Sequence, residues 1–235
     1  MKLTKLSTAA LAATIYAVAG AEVVPNMYEN AAAGASFLTF TSAARTYQYV
    51  IDSSELTGIV GQNIVGLRMR LNESATAPGP ANPINSSDLE VWIGPGVDPS
   101  AMSTTAANNF TASPTQVRDG SMDFAAGSFG TGNPAPFGPT ISTTEWLYTG
   151  GDLAILMTWQ GWTGGSSLSF DAAGTTSTGY GTQFASRWLS GFNVGELTNN
   201  ANFLVTDIVT QPVPEPGTLI AIGAGLMLLA LRKRK

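Results

Sequence analysis

The chain has 235 residues, enough for one domain of ordinary size with flanking signals, and only 11% of them are charged, where soluble domains carry about a quarter. It has no cysteine and no histidine, which excludes disulfides, thiolate metal sites, cysteine nucleophiles and every triad built on an imidazole base. The lysines lie only at the ends (Lys2, Lys5, Lys233, Lys235), so the segment from Glu22 to Pro216 sets five arginines against all sixteen acids; its net charge of −11 makes it a poor partner for nucleic acid and for anionic head groups.

In chain order, Met1 to Leu6 carry two lysines and the run from Ala9 to Ala19 is apolar except for Thr14. Ala19-Gly20-Ala21 then offers small residues before Glu22, the three-part layout of a secretory signal peptide over residues 1–21; Ala17-Val18-Ala19 is an alternative cleavage site. The run is shorter than the roughly 20 apolar residues a spanning helix needs.

Residues 22–210 read as an all-β body. In Gly66 to Leu71, Leu67, Met69 and Leu71 alternate with Arg68 and Arg70; in Asp88 to Ile93, Leu89, Val91 and Ile93 alternate with Glu90 and Trp92. Period two of this kind predicts strands with one wet face, which here would carry both arginines and Trp92. Thr46 to Ile51 and Phe203 to Val209 are β-branched and aromatic runs, and Leu153 to Trp159, apolar on both faces, suits a central strand. Ser36 to Phe40 and Leu168 to Phe170 are weaker strand candidates, and Ser100 to Asn108 suits short helical turns. Ala77 to Pro83, Phe129 to Pro139 and Ala172 to Gly181 are rich in Gly, Pro, Asn or Ser and predict loops. Short strands with frequent turns predict an antiparallel β-sandwich, jelly-roll-like in its arrangement.

Residues 211–235 are a second address. Val213-Pro214-Glu215-Pro216-Gly217 breaks regular structure, Thr218 to Leu231 is apolar and uncharged, and Arg232-Lys233-Arg234-Lys235 is wholly basic. A 14-residue helix spans roughly 21 Å, against a hydrocarbon core of about 30 Å, so it is marginal as a permanent anchor. The basic end belongs on the cytoplasmic side, which places the body outside.

These three parts, Pro214-Glu215-Pro216, Thr218 to Leu231 and Arg232 to Lys235, resemble the PEP-CTERM sorting domain of Gram-negative bacteria. The resemblance implies an exported protein held briefly in the inner membrane, processed near the motif by an exosortase-type membrane peptidase, and linked to exopolysaccharide and biofilm. Lys233 and Lys235 depart from an all-arginine tail while keeping its charge. The body is also similar to a recurrent type of PEP-CTERM protein, through Arg45-Thr46-Tyr47-Gln48, Ile64-Val65-Gly66-Leu67-Arg68, Met102 to Asn109 and Pro134-Ala135-Pro136-Phe137, which implies no activity.

Chemistry in the body reduces to three patterns. Asp88 with Glu90, and Asp119 with Asp123, are carboxylate pairs of the kind glycoside hydrolysis needs, without a distinguishing motif. No cofactor is expected; among metals, calcium suits extracellular oxygen ligands, with Asp98 and Asp119 to Asp123 compatible, although no EF-hand loop is present. Trp92, Trp159 and Trp162, with Trp146 and Tyr148 upstream, are candidates for a platform that stacks on sugars, or for ordinary packing. The leading expectation is a structural or interaction protein of the cell surface and matrix, with no enzymatic activity; a carbohydrate-binding module and a glycan hydrolase or lyase are the alternatives.

Overall fold

The computed structural model describes residues 20–38, 41–164 and 167–213. The signal-peptide run up to Ala19 lies outside the described residues, as do the Pro214-Glu215-Pro216 motif, the apolar segment after it and the basic tail.

Sixteen strands run among the described residues: β1 (Gly20–Val24), β2 (Ala35–Phe37), β3 (Arg45–Ile51), β4 (Gln62–Met69), β5 (Ile84–Ser86), β6 (Leu89–Pro95), β7 (Thr115–Arg118), β8 (Met122–Phe124), β9 (Ile141–Leu147), β10 (Leu153–Trp159), β11 (Trp162–Gly164), β12 (Phe170–Ala173), β13 (Phe184–Ser190), β14 (Asn199–Asn200), β15 (Phe203–Leu204) and β16 (Thr206–Pro212). They form four antiparallel sheets. One has the order β1-β16-β4-β9, the largest β14-β13-β3-β10-β6-β7, and two small ones β11-β5-β8 and β15-β12-β2.

The alternation read from the sequence appears in these strands. Leu89, Val91 and Ile93 on β6 are fully buried, and they pair with Trp159, Met157 and Ile155 of β10 on the same face. Leu153 to Trp159 is a central strand, paired on both sides by β3 and β6, which explains why both of its faces are apolar. Phe203 to Val209 divides into β15 and β16, and the helical turns near Ser100 are 3₁₀ turns at Pro99–Ala101 and Ala106–Asn109. Strands β9 and β13 escape the sequence reading because Ser, Thr, Glu and Arg interrupt their apolar positions. A single core cluster takes residues from both large sheets, Ile64, Leu67 and Ile208 from one and Tyr47, Val91 and Ile155 from the other. Aromatic rings run through it: Tyr49 and Phe184 both pack on Phe203, at centroid distances of 5.3 and 4.9 Å.

One residue departs from the wet-face expectation. Arg68 is partly exposed and pairs with Asp207 on β16, but Arg70 is only 1% exposed. Beyond the end of β4 its guanidinium meets Asp171 of β12, with Nε and Nη2 both 2.9 Å from Oδ2, and donates to the carbonyls of Tyr28 and Ala31. It also lies 5.2 Å from the centroid of Phe137, so the Pro134 to Phe137 segment covers it. The correction has a physical reason: a charge can be buried where an opposite charge and several hydrogen bonds replace its water.

The outer face of the largest sheet is likewise not open. Gln48 on β3 is fully buried there, donating to Ala106 O and accepting from Asn109 Nδ2 at 2.8 Å. Asn109 in turn accepts from Ser103 N and donates to Ser103 O. This satisfied amide network fastens the Met102 to Asn109 segment over Val50, Ala154 and Ala185. Two of the recurrent sequence pieces therefore meet in space.

Both ends of the described chain meet on one sheet edge. Gly20 of β1 pairs with Thr210 of β16, and β16 runs to Pro212, paired with Gln62. Gly20 and Ala21, which the 1–21 boundary assigns to the leader, stand within β1.

Candidate functional site

The three tryptophans do not share a face. Trp159 ends β10 with no exposed surface and packs in the core. Trp92 sits on the opposite face of β6, half-buried, cross-strand from Leu156 and Gln116. Trp162 opens β11 and is 7% exposed. Both Trp159 and Trp162 belong to the core cluster, and the chain turns between them at Gly161, whose φ is +92°. A Cβ there would lie 2.3 Å from the carbonyl oxygen of Ser42, so no other residue fits. Trp159 is thus corrected from a candidate platform ring to a core side chain, because an apolar ring with no exposed surface cannot stack on a ligand.

Trp162 does border an open cavity of about 400 Å³. Asn85 and Ser86 of β5, Asp123 of β8, Gln160 and Thr163 supply its polar groups. Asn85 Nδ2 donates to Asp123 Oδ1 at 2.7 Å, and Ser86 Oγ donates to the Gly161 carbonyl at 2.9 Å, which ties the floor to the turn. One indole edge among amides, hydroxyls and a carboxylate is the donor and acceptor set that polyhydroxylated ligands match. The polar members were not singled out in the sequence because Ser and Asn are spread throughout this chain; only the register of three short strands gathers them.

The carboxylates regroup as well. Asp88, Glu90 and Asp119 bring one oxygen each within 4.8 Å of one another, while Asp123, the expected partner of Asp119, faces the Trp162 cavity instead. Asp98 joins Asp52 and Asp152 in a second triplet of the same kind. Either triplet offers oxygen ligands that suit a calcium ion. Each is also tied locally without one: Asp52 and Asp98 cap 3₁₀ turns through Ser54 N and Ser100 N, Asp152 accepts from Ser53 N, and Glu90 accepts from Asn193. Burial, then the charges of Asp52 and Asp98, push the Asp152 carboxyl above its ordinary value; burial, then Asp88 and Asp119, do the same to Glu90.

That upward shift has a sign. A carboxyl with a raised folded pKa holds its proton longer folded than unfolded, so stability falls as pH rises from its ordinary value through the raised one. Asp152→Asn keeps the acceptor for Ser53 N and removes the repulsion. Its expected result is a higher Tm at pH 7 and a smaller loss of Tm between pH 4 and 7, measured by thermal melts in a chelator. If the triplet holds calcium, the same variant instead lowers Tm in millimolar calcium.

No helix among the described residues is long and apolar enough to cross a membrane. Residues 212–235 match the family model described as the PEP-CTERM protein-sorting motif. The match begins on Pro212, the last residue of β16. It implies an exported, membrane- or surface-associated protein that an exosortase sorts and processes. No curated protein and no solved structure matches the chain.

Proposed function

We propose that this chain, an exosortase-sorted exported protein by its C-terminal motif, serves as a structural or interaction component of the cell surface or of an exopolysaccharide matrix, without catalysing a reaction. The observation that supports the reading is that the matched sorting motif begins at Pro212, the last residue of β16, so in sequence the β body is joined directly to its address. The acidic, lysine-free surface and the absence of histidine and cysteine support a role in bulk assembly or adhesion rather than in catalysis. In this reading the two large sheets pack as the faces of a jelly-roll-like sandwich around their common core. The Sec-type leader is removed after Ala19, the alternative that leaves β1 whole.

The test compares intact mass and fractionation of the protein in cells with and without the exosortase. With the enzyme, the expected product lacks the basic tail and leaves the inner membrane. Without it, the chain keeps residues up to Lys235 and sediments with the membrane. A full-length, membrane-bound chain in both strains would overturn the sorting step, and a mature N-terminus other than Gly20 would overturn the leader boundary.

A second reading, a carbohydrate-binding module, is favoured by one observation, the open cavity where amide, hydroxyl and carboxylate groups stand beside Trp162. It relocates sugar binding from a three-ring surface to a single indole with amide and carboxylate partners.

A further inference from the structure

Three of the exposed large apolar side chains lie near the place where the chain leaves the sheet. Five large apolar residues are exposed among the described residues: Met27, Leu38, Val60, Leu147 and Val213. Val60, Leu147 and Val213, at 53%, 46% and 44% exposure, stand around the start of β4. Val60 precedes Gly61, whose N–H donates to Tyr148 O, and Leu147 pairs with Asn63. On the other side of β4, Pro212 pairs with Gln62 and Gln211 with Asn63, so Val213 continues that strand past Gly61. Directly opposed residues share a face, so Leu147, Asn63 and Gln211 lie on one side of the sheet.

We propose that this end of the body docks on the lipid surface while the sorting segment is inserted, with Val60, Leu147 and Val213 entering the head-group layer. The inference rests on the sorting reading and adds an orientation to it. Its argument is length. Only Pro214 to Gly217 separate Val213 from the apolar segment that starts at Thr218, and the five steps from Val213 to Thr218 reach at most about 18 Å. The head-group layer on one side of a bilayer takes up roughly 5–7 Å of that reach, so this end is tethered within about 13 Å of the head-group surface. Half-exposed valine and leucine side chains gain by leaving water there. Nearby acids set the lipid chemistry. Glu145 is exposed beside Asn63, and Asp52 and Asp152 act on Tyr148, so neutral head groups are preferred over anionic ones.

The chain has no cysteine, so single cysteines can carry an environment-sensitive fluorophore. Full-length protein labelled at Leu147→Cys, at Ala126→Cys or at Ala224→Cys is reconstituted into phosphatidylcholine vesicles bearing a head-group nitroxide, or a nitroxide deep in the acyl chain. Ala126 is exposed in a turn beside Pro80 and Gly79, and Gly79 adjoins Leu71, which follows the other end of β4. Docking requires strong head-group quenching at 147, little at 126, and at least a twofold loss of quenching at 147 in a Val60→Asp, Val213→Asp background. It also requires weaker quenching at 147 with phosphatidylglycerol in the vesicles. Deep quenching at 224 with equal, weak head-group quenching at 147 and 126 overturns the docking and leaves the sorting reading standing. Absence of deep quenching at 224 overturns both.

Discussion

Arg70→Ala is expected to destabilise the body by about 3–5 kcal/mol, the cost of leaving a buried partner charge uncompensated. For a domain of this size that lowers Tm by roughly 6–20 °C. The variant removes both guanidinium contacts to Asp171, which is 1% exposed, and leaves its carboxylate with the Ala33 N–H at 3.0 Å as its remaining named donor. It also orphans the carbonyls of Tyr28 and Ala31, whose segment joins β1 to β2. Amide exchange should therefore rise first between residues 25 and 34. Arg70→Lys keeps the charge without the fork and should recover only part of the loss. The pair Arg70→Met with Asp171→Leu removes both charges and should recover most of it. Melts of the four proteins decide the matter: equal losses in Arg70→Ala and in the double variant would show that packing, rather than the unpaired charge, carries the effect.

Trp159→Ala carries the second large effect, about 3–5 kcal/mol, because it opens a ring-sized cavity at a site with no exposed surface. Trp92→Ala, on the half-buried outer face of β6, should cost about 1 kcal/mol. The contrast separates core from surface tryptophan by denaturant midpoint alone. Trp162→Ala addresses the second functional reading, since that ring borders the cavity. If the body binds sugar there, a glycan array should retain the wild-type protein and lose the Trp162→Ala variant while its near-native fold is confirmed by circular dichroism. No retention of the wild-type body would leave the structural role as the better account.

Several features were legible in the residues because their cause is local. The alternation at Leu89, Val91 and Ile93 reports a strand with one buried face wherever it occurs, and the unbroken apolar run of β10 reports a strand covered on both sides. The C-terminal address was legible for the same reason: a proline break, an apolar run and a basic end are properties of contiguous sequence. Strands such as β9 and β13, where polar residues fall on both faces, left no such trace.

What only the tertiary structure decided involves groups far apart in the chain. Arg68 and Arg70 look alike in an alternating strand, yet one meets Asp207 at a partly exposed site and the other is sealed against Asp171, 101 residues away. The carboxylates paired by proximity in sequence were regrouped into triplets, with Asp123 sent to the Trp162 cavity. Two tryptophans three residues apart both pack in the core, yet after the turn at Gly161 only Trp162 also borders the cavity. The physical reason is common to all three. Alternation states that a side chain leaves water on one face, but the free energy of a charge or an indole there depends on which distant group register brings opposite it. The sequence by itself therefore determined the β character of the body, the chemistry it lacks and its export address, while strand pairing alone decided which of its polar and aromatic groups are buried and which are offered to a partner.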